Sequence, residues 1–267
     1  SLLNSGWQYE GQWGGFLGTA ISPYHFITAN HVGGSVGQDF VLNGVHYPTI
    51  SSTVSPNSDL RIWQVSTPLP LYAPLYTGSG EVGQSLVVFG RGAERGGEVR
   101  NAQNDLCGWY WGAGNYTQRW GENVVGAVVD GGASLGQLLQ ATFDFSAGGN
   151  EAHLSGGDSG GGMFIQDGGI WKLAGINYGV DGYFSITGQN GTGFNAAIFD
   201  AGGLFYGKDG NWNEIQNQSY DIPSAFYSTR ISANEAWIMG VVPEPTAWML
   251  VSGGLLLAYG LARRNRV

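Results

Sequence analysis

Residues 156–162 read Gly-Gly-Asp-Ser-Gly-Gly-Gly, an Asp-Ser pair with glycine on both sides. Glycine lacks a Cβ, so this stretch permits a tight, exposed turn whose backbone N–H groups another molecule can approach closely. A serine in such a turn is a candidate nucleophile, provided that a base lies next to it. Taken alone, the stretch also fits an ordinary glycine-rich surface turn.

Two earlier segments contain the partners that such a serine requires. Residues 28–32 (TANHV) place His31 after an apolar run, and residues 58–62 (SDLRI) place Asp59 at the start of another. An imidazole must take the serine proton, and a carboxylate must hold that imidazole in one tautomer and stabilise its charged form. The order His31, Asp59, Ser159 is one in which this catalytic triad occurs. We therefore predict acyl-transfer chemistry at these three residues.

The remaining titratable candidates are weaker. Asp39 could replace Asp59, but its Gly-Gln-Asp setting is typical of a turn. His25 and His46 have strand-like surroundings that favour a structural role. Residues 209–214 (DGNWNE) alternate oxygen ligands as calcium loops do. The glycine expected at the sixth position of such a loop and the glutamate expected at its twelfth are both missing. We predict no metal and no cofactor.

The composition indicates an all-β protein. Glycine accounts for 47 of the 267 residues and is spread among short apolar runs, which suits many tight turns between strands. The formal net charge of −9, with only 11 Lys and Arg, argues against a nucleic-acid partner. Cys107 is the single cysteine, so no intrachain disulfide can form. The Trp-rich run 109–120 is interpreted as core and loop aromatics rather than as a sugar-binding platform.

Strand-like runs fall into two groups separated by residues 90–104, a polar stretch rich in Gly and Arg that we interpret as a linker. The first group comprises residues 15–21, 25–28, 39–42, 60–65 and 85–89, and the second comprises 123–129, 137–145, 161–165, 170–176 and 192–197. Residues 231–239 favour a short helix, in which Ser232 would be the N-cap and Glu235 would complete a capping box.

Taken together, these segments resemble those of the trypsin-like (chymotrypsin-fold) serine peptidases. Residues 28–31 are similar to the family's Thr-Ala-Ala-His block except at Asn30, and residues 157–160 match its Gly-Asp-Ser-Gly. Asp59-Leu60 resembles the family's Asp-Leu strand. Residues 175–179 resemble the strand that lines the primary specificity pocket, and residues 227–238 resemble the last strand and the helix after it. The resemblance covers approximately residues 13–239.

This resemblance implies two antiparallel six-stranded β-barrels followed by a short C-terminal helix. Residues 1–95 would form the barrel that carries His31 and Asp59, and residues 96–240 would form the barrel that carries Ser159. The implied activity is that of a secreted serine endopeptidase acting on a protein or peptide substrate through an acyl-enzyme. A catalytically silent binding or surface protein of the same fold is the alternative, and an esterase using the same triad is a third possibility.

The resemblance also assigns roles around the triad. His31 would be the general base, Asp59 its orienting carboxylate, and the N–H groups of Gly157 and Ser159 the oxyanion hole. By spacing from Ser159, His153 would lie at the base of the specificity pocket, and no acidic residue occupies that place, which favours a small or apolar substrate side chain. The expected pocket residues are His153, Leu154, Asn177, Tyr178, Gly179 and Phe226.

Three departures from the family pattern carry expectations of their own. The chain has no Ile-Val-Gly-Gly-like segment whose new amino terminus could pair with Asp158, so this carboxylate needs a backbone N–H or a side chain instead. Asn177 stands where the family has a serine near the catalytic aspartate, and its amide could donate a hydrogen bond there. The separation of 28 residues between His31 and Asp59 implies short loops in the first barrel.

Residues 241–267 form a distinct tail. Its apolar stretch 246–262 is free of charged residues and resembles, with its flanks, the PEP-CTERM sorting signal of Gram-negative bacteria. The motif residues are Pro243, Glu244, Pro245, Arg263, Arg264 and Arg266. This resemblance implies export across the bacterial inner membrane to the cell envelope or beyond, a transient hydrophobic membrane helix, and an exosortase-type membrane protease as partner. A removed signal peptide would account for a start without Met, and a buried core helix is the alternative for the tail.

Overall fold

The structure, a computed structural model, describes residue 2 and residues 4–242. The sorting motif and the hydrophobic helix expected at residues 243–266 therefore lie outside the described residues. Within the described part of the chain, no helix is long and apolar enough to span a membrane. The chain is mostly β, as its composition indicates.

Residues 10–65, which form the N-terminal half of the fold, build one closed six-stranded barrel in the order β1-β2-β3-β6-β5-β4. The strands are β1 (Glu10–Trp13), β2 (Phe16–Ser22), β3 (His25–Ala29), β4 (Asp39–Leu42), β5 (Val45–Val54) and β6 (Leu60–Val65). The barrel closes where β1 pairs with β4. Its interior is filled mainly by aromatic rings, including Trp13, Phe26, Phe40 and Trp63. The rings of Phe26 and Phe40 stack with centroids 4.1 Å apart.

The second half builds one large sheet and two small ones. Its strands are β7 (Ser85–Gly90), β8 (Ala93–Arg100), β9 (Leu106–Gly114), β10 (Arg119–Val124), β11 (Ala127–Asp130), β12 (Gln137–Thr142), β13 (Gly162–Asp167), β14 (Ile170–Val180), β15 (Phe184–Ser185), β16 (Ala196–Ile198), β17 (Phe205–Lys208), β18 (Asn211–Glu214) and β19 (Ala225–Arg230). Seven of them form a sheet in the order β10-β7-β13-β14-β19-β12-β11. The small sheets have the orders β16-β9-β8 and β15-β17-β18.

The second closed six-stranded barrel is not seen among the described residues, because the edge strands β10 and β11 do not pair with each other. These strands are consecutive in the chain, and the segment between them bends. Val125 N donates to Gln84 O and Gly126 N donates to Gln140 O, so the bend directs β10 to β7 and β11 to β12. The sheet thus curls around an apolar core, and one bent segment forms both of its edges.

The linker predicted at residues 90–104 is wrong, since β8 lies within it and pairs with β9. The register of this pair shifts repeatedly. Strand β8 also shows no apolar alternation in its sequence that would identify it as a strand. The small sheets pack around a separate apolar cluster that includes Cys107. Burial raises the pKa of the Cys107 thiol to about 11, which keeps it protonated and unreactive at neutral pH.

The predicted C-terminal helix is present, but its predicted cap is not. A 3-10 turn (Ser232–Asn234) leads into α1 (Glu235–Val241). The Ser232 hydroxyl donates to Glu81 Oε1 at 2.7 Å instead of capping the helix. The helix is held by its apolar face, because Ile238 is buried in the core between the barrel and the large sheet.

That shared core joins the two halves of the molecule. It combines barrel residues such as Leu17 and Ile62 with sheet residues such as Phe89 and Ile176. The buried carboxyl group of Glu10 on β1 also connects the barrel to the large sheet. It accepts hydrogen bonds from Thr19 Oγ1 at 2.7 Å and from Gly162 N at 3.3 Å. The contact attaches the first residue of β13 to the barrel.

Candidate active site

His31 lies in a 3-10 turn, Asn30–Val32, that directly follows β3. Asn30 N donates to Asp59 O at 3.0 Å, and Asn30 Oδ1 accepts a hydrogen bond from Arg61 Nε at 3.0 Å. Asn30 is the residue that differs from the Thr-Ala-Ala-His block, and its two hydrogen bonds tie the turn to the start of β6.

Asp59 orients the imidazole from below. Its Oδ1 accepts the His31 backbone N–H at 2.9 Å, and its Oδ2 lies 2.5 Å from His31 Nδ1. The aspartate is 7% exposed and the histidine 40%, so the carboxylate is shielded while the ring reaches the surface. The competing carboxylate, Asp39, bonds to His46 Nδ1 at 2.9 Å and takes no part in this arrangement.

Ser159 completes the arrangement from the other half of the molecule. Its Oγ lies 2.8 Å from His31 Nε2, although 128 residues separate them in the chain. The loop is held by Gly160, whose N–H donates to Asn177 O at 3.0 Å. Gly160 has φ +81°, and a Cβ there would collide with Thr28 Oγ1 and Leu17 O. Only glycine allows the serine loop to approach the barrel this closely.

The backbone around Ser159 presents two N–H groups that could hold an oxyanion. Within residues 4–242, the N–H groups of Gly157 and Ser159 donate to no backbone or side-chain acceptor. Gly157 has φ +102°, a backbone conformation that residues other than glycine rarely adopt. Unpaired N–H groups next to a nucleophile can stabilise negative charge that develops on an attacked carbonyl oxygen.

Asp158 accepts hydrogen bonds from backbone N–H groups and from a side chain, which are the two kinds of partner expected in place of a new amino terminus. Its Oδ1 accepts from Gly92 N at 2.6 Å, and its Oδ2 accepts from Ser155 N at 2.7 Å and from Ser155 Oγ at 2.9 Å. Burial raises the pKa of Asp158, and the bonds from Ser155 and Gly92 oppose that rise. The residue before the candidate nucleophile is thereby tied to Ser155 and to Gly92 in the segment after β7.

A cavity of about 90 Å³ lies beside Ser159. Four of the expected pocket residues line it, namely Leu154, Asn177, Tyr178 and Gly179. Trp111, Gly156 and Val180 also line it. The other two expected residues, His153 and Phe226, do not.

His153 and Phe226 pack behind the cavity instead. The His153 ring lies between the rings of Phe143 and Phe226, at centroid distances of 5.9 and 5.8 Å. Its Nδ1 donates to Leu154 O at 2.6 Å, and its Nε2 lies 3.2 Å from Ser224 Oγ. Burial lowers the pKa of His153, which favours the neutral ring. The placement of His153 in the pocket is therefore wrong, because its ring packs between Phe143 and Phe226 and does not line the cavity.

The role expected for Asn177 is also wrong. Its Nδ2 donates to Phe89 O at 2.7 Å and to Asp158 O at 3.1 Å, and its Oδ1 accepts from Ser228 Oγ at 3.1 Å. These three bonds use the buried amide fully and leave none for Asp59. Asn177 fastens the serine loop to β7 and β19 rather than supporting the aspartate.

Sequence reasoning missed Trp111, Gly92 and Ser155. The Trp111 side chain could have been suspected from the alternation of Trp109 and Trp111, which places both on one face of a strand. No local signal identifies Gly92 as a partner of Asp158, because 66 residues separate them.

No protein-family model matches the chain, and a search of curated proteins gives no match either. Within the described residues, no three or more His, Cys, Asp or Glu side chains gather as a metal site would require.

Proposed function

We propose that this protein is a serine endopeptidase of the trypsin-like kind, with Ser159 as nucleophile, His31 as general base and Asp59 as its orienting carboxylate. One observation carries the proposal. Asp59, His31 and Ser159 form a continuous chain of hydrogen bonds, with heavy-atom distances of 2.5 and 2.8 Å. Separate halves of the molecule supply the base and the nucleophile, and the distance of 2.8 Å between His31 Nε2 and Ser159 Oγ suits proton transfer.

The geometry supports the following reaction. His31 Nε2 accepts the Ser159 hydroxyl proton as Oγ attacks the carbonyl carbon of a peptide bond, and Asp59 stabilises the imidazolium that forms. The N–H groups of Gly157 and Ser159 donate to the resulting oxyanion. His31 then returns the proton to the leaving amine, and an acyl-enzyme remains. Water, deprotonated by the same imidazole, hydrolyses that ester and regenerates Ser159.

The architecture supports the same assignment. The closed barrel supplies His31 and Asp59, while the curled seven-stranded sheet supplies Ser159. We propose that this sheet is the counterpart of the family's second barrel. In this interpretation β10 and β11 are two halves of one strand, bent at Val125 and Gly126, that pairs with β7 on one side and with β12 on the other.

The direct test is labelling with a fluorophosphonate probe, which reacts with an activated serine. We expect wild-type protein to be labelled at Ser159, and Ser159→Ala and His31→Ala to lose labelling and about 10⁴-fold or more of kcat. Ser52→Ala, which removes an exposed serine on β5, is the matched control and should label as wild type does. A folded wild-type protein that takes up no probe would overturn the proposal and favour a silent binding protein of this fold.

We also propose that the enzyme is exported and acts outside the inner membrane. The support is the sequence of residues 243–266, whose Pro-Glu-Pro motif, apolar stretch and arginines match a sorting signal in order. The proposal about the triad does not depend on it.

A further inference from the structure

Trp111 reaches the candidate active site from outside the sheet that carries Ser159. It lies on β9, in the small sheet β16-β9-β8, and its backbone is paired there with Arg95. A Cβ built on Gly156 would lie 3.3 Å from Trp111 Cζ3, so the indole packs directly over the loop that leads to Ser159. The strand pairing fixes where the ring can be, and the ring forms one wall of the cavity beside the serine.

Apart from Asp158, no residue in the lining of the cavity is charged. Its lining includes the apolar parts of Trp111, Leu154, Tyr178 and Val180. Asp158 also borders it, but hydrogen bonds from Gly92 and Ser155 already occupy both carboxylate oxygens. A lysine, arginine or glutamate side chain would therefore lose its hydration there without gaining a partner.

The volume of the cavity limits what apolar group can enter. An apolar cavity of roughly 150 Å³ admits benzene, and small-molecule pockets generally measure roughly 300 Å³ or more. At about 90 Å³, the cavity is too small for a benzyl or indole group but has room for a methyl or isopropyl group.

We infer that Trp111 is a specificity-determining residue, which restricts the substrate residue preceding the scissile bond to a small aliphatic side chain such as alanine or valine. The inference rests on the proposed endopeptidase function and names the substrate class of that site. Leu154 is buried in the core of the large sheet, and Tyr178 and Val180 belong to β14 of that sheet. Among the large side chains of the lining, Trp111 comes from a neighbouring sheet, so shortening it should enlarge the cavity without removing a strand of the sheet that supports Ser159.

The test uses peptidyl diphenyl phosphonates, which react covalently with an activated serine and differ only in the side chain next to the phosphorus. Inactivation rates are measured for the alanine, valine, phenylalanine and lysine analogues. For the wild type we expect the alanine and valine analogues to react about 10- to 100-fold faster than the other two. In Trp111→Ala, the ratio of the phenylalanine to the alanine rate should rise at least about tenfold.

Trp109→Ala is the matched control. Trp109 lies two residues away on the same strand, but it packs against Arg95 at 3.7 Å and against Phe143, Phe145 and Phe199. Its loss should leave the ratio unchanged. Trp111→Leu is the second variant if Trp111→Ala does not fold, and it should shift the ratio in the same direction.

The outcomes separate this inference from the function on which it rests. If the fluorophosphonate labels wild-type Ser159 but all four phosphonates react at similar rates, the inference is wrong and the proposed function stands. An unchanged ratio in a folded Trp111 variant also overturns it. If no probe labels Ser159, the proposed function is overturned, and the inference about Trp111 is overturned with it.

Discussion

The carboxylate of Asp158 is bound entirely by the chain around it. Gly92 N, Ser155 N and Ser155 Oγ all donate to its two oxygens, and the side chain is buried. Such bonds restrain the backbone on both sides of Asp158, which includes the free N–H groups of Gly157 and Ser159. These hydrogen bonds would hold the proposed oxyanion site in place without a new amino terminus as partner of Asp158.

The variant Asp158→Asn tests this preorganisation. An amide group would face the N–H donors of Gly92 and Ser155 with one acceptor atom instead of two, so the turn should distort. We expect kcat to fall about 100-fold, comparable to the loss of one oxyanion donor, and KM to change less. Steady-state kinetics on a small-residue peptide substrate provide both constants.

Asp167→Asn is the control for that variant. Asp167 pairs with Lys172 at the surface, far along β13 from the serine loop, and its replacement should leave kcat unchanged. Full activity in Asp158→Asn would show that the oxyanion site does not depend on this carboxylate.

Single residues also show where sequence reasoning stops. The types and order of His31, Asp59 and Ser159 were readable from the chain, because each lies in a distinctive local segment, and the structure brings their side chains together. The roles given to His153 and Asn177 were wrong. Spacing predicts where a backbone passes, but hydrogen bonds to residues elsewhere decide where a ring or an amide points.

At the level of elements, a buried ion pair stabilises the approach to helix α1. Glu81 is fully buried, and its oxygens accept from Arg230 Nε at 2.7 Å, from Arg230 Nη2 at 2.8 Å and from Ser232 Oγ at 2.7 Å. Burial raises the pKa of Glu81, but the bonds from Arg230 and Ser232 outweigh that effect and the net pKa is lowered. The end of β19 and the 3-10 turn before α1 are thus fixed to the loop before β7.

Replacing one member of a buried pair leaves the other unpaired, so Glu81→Ala should lower the free energy of unfolding by about 3 kcal/mol at pH 7. The lowered pKa of Glu81 means that its contribution is present above about pH 4.5, the unfolded value, and is lost as the pH falls through the lower folded value. The difference between wild type and variant should therefore shrink in acid.

Urea unfolding at pH 7 and at acidic pH measures that difference. The matched control is Glu98→Ala, which removes an exposed pair with Arg100 and should cost less than about 1 kcal/mol. If both variants lose the same stability at pH 7, the buried pair contributes no more to the free energy of unfolding than the exposed pair does.

Elements differ in how readily their sequence identifies them. Strands β2, β3, β6 and β7 coincide closely with predicted runs, because most of their residues are buried, and β4 does so through buried Phe40 and Leu42. Strand β5 was not predicted, since most of its residues are exposed and no apolar run marks it. Its existence depends on pairing with β4 and β6.

For the molecule as a whole, the carboxyl group of Glu10 is a buried polar contact between the barrel and the large sheet. Burial raises the pKa of Glu10 to about 8 from an ordinary 4.5, and the hydrogen bonds from Thr19 and Gly162 only partly oppose the rise. Between these two values the folded protein holds a proton that the unfolded chain has released. Stability should therefore be greatest below about pH 4.5 with respect to this group and should decline as the pH rises toward 8.

Glu10→Gln keeps the shape and the acceptor oxygen but cannot ionise. We expect the variant to match wild type near pH 5 and to be more stable than wild type at pH 8, with stability measured by urea unfolding at both values. Glu214→Gln, an exposed substitution on β18, should leave the pH dependence as it is. Identical pH profiles for wild type and Glu10→Gln would contradict a neutral buried carboxyl.

The amino-acid sequence by itself determined that the protein is mostly β, where most of the well-buried strands lie, and which side chains could serve as nucleophile, base and orienting acid. Each of these is encoded locally, in apolar runs or in short motifs. The tertiary structure alone decided that β10 and β11 pair with β7 and β12 rather than with each other, that Gly92 and Ser155 bind Asp158, and that Trp111 lines the cavity beside Ser159. These features consist of contacts between segments far apart in the chain, and no periodicity or motif in either segment specifies its partner.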